Sequence, residues 1–140
     1  MHGDALKTYR RTRVETATTL KLVIMCYDAA IDDLEEAKEL HLTGRTDPCF
    51  KKIRHAQDVI TELLVGLDYD QGGEIATNLG KLYNFMIRSL IGINMRQDPV
   101  IFDKLIHLLS GLREAWEKIS HMPPPEAVYH DAQSGIAVTG

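Results

Sequence analysis

Apolar residues recur along this chain at alternating spacings of four and three, in four separate stretches. In the first, Leu20, Ile24, Tyr27, Ile31 and Leu34 draw one stripe on a helix. That helix begins near Thr16, with Thr18 or Thr19 as its N-cap, and fades around Thr43 and Gly44. Asp47 and Pro48 then supply an N-cap followed by a proline at the first helical position. The second helix carries Ile53, Ala56, Ile60, Leu64 and Leu67 on one face and Lys51, Arg54, Asp58 and Glu62 on the other. It stops at a run, Asp68 to Gly73, whose composition is that of a turn. A third helix is predicted from about Glu74 to Met95, with Ile75, Leu79, Leu82, Met86, Leu90 and Ile93 as its core stripe. Asp98 and Pro99 start the fourth by the same device as Asp47 and Pro48. Its inner face is Ile101, Leu105, Leu108, Leu112, Ala115 and Ile119, and Pro123 to Pro125 end it.

The connections between these stretches are short, so neighbouring helices must run antiparallel. The pattern therefore predicts an all-α fold, an antiparallel up-down-up-down four-helix bundle over residues 16–121. Residues 1–15 precede it as an N-terminal cap segment, with room for a short helix around Asp4 to Arg10. Residues 122–140 are small and polar and read as a mobile C-terminal tail.

Composition narrows the class. A chain of 140 residues with 44% hydrophobic and 26% charged positions suits one globular domain. Its longest uninterrupted apolar run, Leu22 to Tyr27, is far below the ~20 residues of a membrane span. The N-terminus lacks an apolar segment of signal-peptide type, which predicts a cytoplasmic protein that does not insert into membranes. Cys26 and Cys49 make no CxxC pair and read as reduced thiols. The net charge of −4, with one small basic cluster at Arg10, Arg11 and Arg13, gives no footprint for nucleic acid.

No catalytic constellation emerges. The six histidines are scattered singly, without HExxH or paired Glu-x-x-His units, so no metal site is expected. Phosphate-loop and nucleophile-elbow motifs are absent, and no cofactor is expected. Gly72, Gly73 and Glu74 read as a turn rather than an anion site, because the adjacent acids would repel an anion. The acidic run Asp32, Asp33, Glu35 and Glu36 reads as a solvated face that would also suit a basic partner.

What stands out is surplus apolar surface. Leu22, Met25, Cys26 and Ala29 fall on roughly the opposite side of the first helix from its core stripe. On the third helix, Ala76, Gly80, Tyr83, Ile87 and Ile91 form a second stripe about 100° from the first. Gly80 costs about 1 kcal/mol against alanine in a helix interior, which is tolerable where another backbone approaches closely. Such positions can widen a core. As a set they fit better as a groove for an amphipathic helix, since soluble monomers seldom leave large apolar patches bare. Leu6, Tyr9 and Val14 could cover part of that groove from within the chain. The rival is a helical adaptor or a homodimer that uses the same patches on itself.

The order of residues resembles a known family. Tyr9, Val14, Thr16-Ala17-Thr18, Leu20 and Met25 to Ile31 are similar to the opening of the flagellar secretion chaperone FliS family, Y-x4-V-x-TASP followed by L-x-MLYDGAI. Lys52 to Gln57 with Ile60, Glu62 and Leu63 resemble its second helix. Gly72 to Ala76, Asn78-Leu79 and Leu82-Tyr83 resemble GGEIA-x-NL-x2-LY, and Leu112 to Trp116 resemble LR-x-AW. The chain departs at Thr19, where the family has proline, at Cys26 for leucine and at Ala29 for glycine. The resemblance implies a chaperone rather than an enzyme. It implies binding of the disordered C-terminal segment of flagellin in the bacterial cytosol, prevention of early polymerisation, and delivery to the flagellar type III export gate. The surplus apolar positions and the N-terminal segment would then be the flagellin-binding residues.

Overall fold

The structure, a computed structural model, describes residues 16–96, 98–121 and 128–130. Four helices follow in order: α1 (Thr16–Leu42), α2 (Thr46–Val65), α3 (Tyr69–Ile91) and α4 (Val100–Ser120). Side-chain pairings fix their directions. Between α1 and α2, Ala37 meets Cys49, Glu36 meets Lys52 and Asp33 meets His55, so one number falls as the other rises. Between α1 and α4, Lys38 meets Asp103, Asp28 meets Arg113 and Tyr27 meets Trp116, again antiparallel. Tyr27 with Tyr83 and His41 with Asn94 run in the same sense on α1 and α3. The result is the expected up-down-up-down bundle, with α1 and α3 as parallel diagonals.

The turns are built by their own polar groups. The Thr43 hydroxyl donates to the Glu39 carbonyl at 3.0 Å and the Arg45 N–H to Leu40 at 2.9 Å, closing α1. Helix α2 begins at Thr46 rather than at Pro48, with Arg45 at its N-cap making no side-chain cap bond. Pro48 sits in the first turn, where its missing N–H has no intrahelical partner to lose. The run expected as a loop, Asp68 to Gly73, is instead a capped helical turn. The Asp68 side chain accepts the Gln71 N–H at 3.0 Å, and Gly73, at φ +52° and ψ −127°, breaks this turn from the rest of α3. The Asp98 carboxylate accepts the Val100 N–H at 3.0 Å where α4 starts.

Ile53, Ala56, Ile60 and Leu67 of the second expected stripe and Leu79, Met86, Leu90 and Ile93 of the third are buried as expected, but elsewhere the inward arc differs from the expected stripes. On α3, Ala76, Gly80 and Tyr83 are buried, whereas Ile75 is 61% exposed and Leu82 half-buried. On α4 the buried residues are Phe102, Leu105, Leu109 and Trp116. Ile101, Leu108, Leu112 and Ile119 are half-buried and Ala115 is exposed. On α1, Leu22, Val23, Cys26, Tyr27 and Ala30 are buried, and Leu20, Ile24 and Ile31 only half so. These helices are apolar around more than half of their circumference, so spacing alone does not choose the central arc. The large rings choose it. Tyr27, Tyr83 and Trp116 are large and buried, and their polar atoms find partners in one another and in Tyr129.

Residues 128–130, within the segment expected as a tail, pack on the bundle with Tyr129 only 4% exposed. The Asp68 N–H donates to the Val128 carbonyl at 2.8 Å and the His130 N–H to Gly66 at 3.2 Å, so Leu67 and Tyr129 form an antiparallel bridge.

Candidate partner-binding groove

The rings that orient the bundle meet in one buried cluster. Trp116 Nε1 donates to the Tyr27 hydroxyl at 3.2 Å, which lies 2.5 Å from that of Tyr83, itself 2.6 Å from that of Tyr129. Burial pushes the Tyr27 phenol up to about 12 and holds those of Tyr83 and Tyr129 well above their ordinary value. Tyr27, Tyr83 and Trp116 are residues that carried the family resemblance, brought from three helices to one point.

Around this cluster the seams between helices are unequal. Helix α1 packs along α2 and along α4, and α2 along α3, whereas α3 and α4 do not pack along each other in the same way. The residues beside that loose seam are apolar. On α4, Asp103 and Arg113 mark the flank toward α1. Ile101, Leu108, Leu112, Ala115 and Ile119 lie on the opposite flank by the helical rotation of ~100° per residue. On α3, Gly80 lies beneath Tyr69 at the α2 side, and Ile75 and Leu82 lie on the other flank, with the half-exposed Phe85 further out. In an antiparallel ring these two flanks face each other. They are the walls of a candidate groove, with half-buried Leu82, Ile101, Leu108, Leu112 and Ile119 beside the exposed Ile75 and Ala115.

The expected partner residues fall in different places. Leu6, Tyr9 and Val14 lie outside the described residues. Leu22, Cys26, Ala76 and Tyr83, expected at the surface, are interior, as is Gly80. Met25 is 44% exposed on α1, Ile91 is 70% exposed at the end of α3, and Ala29 and Ile87 are half-buried. Gly80 does accommodate a close approach, but by a side chain of its own helix: a Cβ there would stand 2.9 Å from the Tyr69 hydroxyl. Of the residues read from sequence as core, Leu79, Met86, Leu90, Ile93 and Leu105 are buried as expected, while Ile75, Leu82, Ile101, Leu108, Leu112, Ala115 and Ile119 lie toward the α3/α4 seam instead. A usable signal was present in the aromatic positions, since a helix turns its tyrosines and tryptophan toward partners for their polar atoms.

Chemistry of other kinds finds no support here. Burial, with a smaller contribution from the Glu62 charge, pushes the Cys26 thiol up to about 12, which leaves it protonated and unreactive. Cys49 is also buried, and both thiols are free. Among the described residues no group of three His, Cys, Asp or Glu side chains is placed to hold a metal ion, and no helix is long and apolar enough to cross a membrane. The acidic run on α1 is not simply solvated. Asp33 is buried against the His55 ring, and burial raises its carboxyl despite the opposing pull of His55 and Lys52. Glu36 pairs with Lys52 at 2.7 Å.

Comparison with known proteins converges on one family. A sequence profile of the family described as "Flagellar protein FliS" matches residues 2–123. The chain is 34% identical over 136 residues to the flagellar secretion chaperone FliS of Salmonella typhimurium, covering 94% of this chain and 98% of the relative. It is 32% identical to that of Vibrio cholerae, covering 97% of this chain and 100% of the relative. It is 28% identical to the flagellar secretion chaperone FliSB of Pseudomonas aeruginosa, covering 84% and 96%.

Proposed function

The chain belongs to the FliS family of flagellar secretion chaperones, and from that premise we propose that it binds the disordered C-terminal segment of flagellin in the α3/α4 groove. In this reading it acts in the cytosol, keeps flagellin from polymerising before export, and presents it to the flagellar type III export gate. The observation that carries the reading is the wider spacing of α3 and α4 beside apolar flanks on which Leu82, Leu108 and Leu112 stay half-buried and Ile75 exposed.

The energetics suit the task. A disordered segment that becomes helical on the chaperone gives up a few kcal/mol of the gross interaction energy in ordering itself, so it needs a long apolar contact. A groove running the length of two helices offers that contact without a deep pocket, and many modest contacts can be released one after another at export. Ile91 and Met25 lie outside the groove and would be reached only by a segment that wraps further around the bundle.

Calorimetric titration of a flagellin C-terminal peptide tests the proposal. Binding by the unaltered chain and weakened binding by Ile75→Asp are expected. A tight homodimer indifferent to the peptide would overturn the reading and favour self-association through the same surface.

A further inference from the structure

We propose that Tyr129 is a clasp that holds the two walls of the α3/α4 groove at a fixed separation at one end, a role that rests on the groove being the flagellin site. Tyr129 touches both helices that carry the walls. Its hydroxyl lies 2.6 Å from that of Tyr83 on α3, and its ring meets Trp116 on α4 edge-to-face with centroids 5.5 Å apart. Where α3 and α4 do not pack along each other as the other neighbouring helices do, this side chain bridges them, as Tyr27 does from α1.

The clasp is itself anchored. Backbone hydrogen bonds from Asp68 to Val128 and from His130 to Gly66 pin residues 128–130 along the α2/α3 turn, and His130 Nδ1 lies 3.3 Å from the Asp68 carboxylate. The first turn of α3 makes room for it. A Cβ on Gly72 would come within 3.1 Å of the Val128 Cα, tighter than ordinary contact, so glycine there lets the strap cross. The same Asp68 that caps α3 thus also receives the strap, which couples the start of the α3 wall to the position of Tyr129.

A wall held in place beforehand spares the partner the cost of ordering it, so the clasp contributes to affinity without contacting the partner. Tyr129 is in this sense a positioning residue. Its role is separable from general stability because its own side-chain contacts are to α3 and α4 and not to the residues between α1 and α2.

Spin labels at Lys81→Cys and Lys118→Cys, both exposed, report the separation of the walls, since Cys26 and Cys49 are buried. A second pair at Glu35→Cys and Arg54→Cys reports α1 against α2. With Tyr129→Ala, the Lys81–Lys118 distance distribution should lengthen and broaden while the α1/α2 pair stays sharp. The emission of Trp116, the single tryptophan, should shift to the red, and flagellin-peptide affinity should fall on the order of tenfold. Tyr129→Phe keeps the ring contact with Trp116 and should give an intermediate result. Should Tyr129→Ala lose its helicity, Tyr129→Phe decides the same question. An unchanged wall distance in a folded variant overturns the clasp, and a widened groove with unchanged affinity overturns its part in binding. If the unaltered chain does not bind the peptide, the functional reading fails, while the distances still decide whether Tyr129 sets the groove.

Discussion

The α1/α2 seam and the α3/α4 seam are both apolar, but residues of different size make them and they come out differently. Between α1 and α2, the fully buried Ala30, Ala37 and Ala56 let the helices approach, and the Cys49 thiol donates to the Ala37 carbonyl at 3.4 Å. Ion pairs cross outside this contact, Lys52 with Glu36 and His55 with Asp33. Between α3 and α4 the flanking residues are Ile75, Leu82, Leu108 and Leu112, larger and left half-covered. Small residues close a seam because close-packed interiors leave no voids. Larger aliphatic residues that do not interdigitate leave a surface with unspent hydrophobic driving force, about 25 cal/mol for each Å² that a partner can cover. One side of the bundle therefore closes tightly, and the other keeps apolar surface partly uncovered.

The largest effect should come from the cluster on which both seams depend. Tyr27→Ala removes a fully buried ring, takes the Tyr27 hydroxyl from Trp116 Nε1 and leaves Tyr83 with Tyr129 alone. A loss of roughly 3–5 kcal/mol in urea denaturation is expected, typical of large aromatic truncation. A loss below about 1 kcal/mol would mean that the cluster does not organise the bundle. The two seams are then separated by matched enlargements. Ala37→Leu forces extra volume into the closed seam and should cost about 1–3 kcal/mol. Ala115→Leu enlarges an exposed position of the open seam and should stay within about 0.5 kcal/mol of the unaltered chain. Equal costs would erase the distinction.

Much of this was legible from sequence, and the failures share one cause. Four helices in the correct order followed from spacing, and the start of α4 from Asp98 and Pro99. The open seam was not legible as such. Ile75 and Leu108 fit a core stripe as well as Tyr83 and Phe102 do, because a helix apolar on two adjoining arcs has two solutions of equal periodicity. The choice is made by tertiary partners: Tyr69 over Gly80, and Tyr129 against Tyr83 and Trp116. Tyr129 stands after the prolines in a polar segment, with no periodic context that would mark it as interior.

Binding experiments sharpen the contrast between arcs. Ile75 is already exposed, so Ile75→Asp should leave stability nearly unchanged while weakening the flagellin peptide about tenfold or more, the value of one aliphatic side chain covered by a partner. Met25→Asp places the same charge on α1, outside the groove, and should change affinity less than threefold, as expected of a contact at the margin. If Met25→Asp proves the more damaging, the client lies on α1 and the open seam has another use.

The smallest effect is a pH dependence, and it tests whether the tie across the open seam is the protonated form of the cluster. In the unfolded chain tyrosines ionise near ~10. Burial pushes Tyr27 up to about 12 and raises Tyr83 and Tyr129 well above the ordinary value. Above ~10 the unfolded chain therefore releases protons that the fold still holds. The stability these groups contribute is complete below that pH and declines as pH rises toward about 12. Cys26, also held at about 12, adds a decline that starts from its lower ordinary value and is shared by every tyrosine variant. Tyr129→Phe removes one ionisable member. At pH 8 it should be less stable by about 1 kcal/mol, the worth of one hydrogen bond. Its decline between pH 10 and 11 should be shallower, so that urea midpoints of the two proteins converge there. Parallel declines would show that Tyr129 ionises as readily in the fold as out of it. The link from α3 to α4 would then rest on ring packing with Trp116 alone.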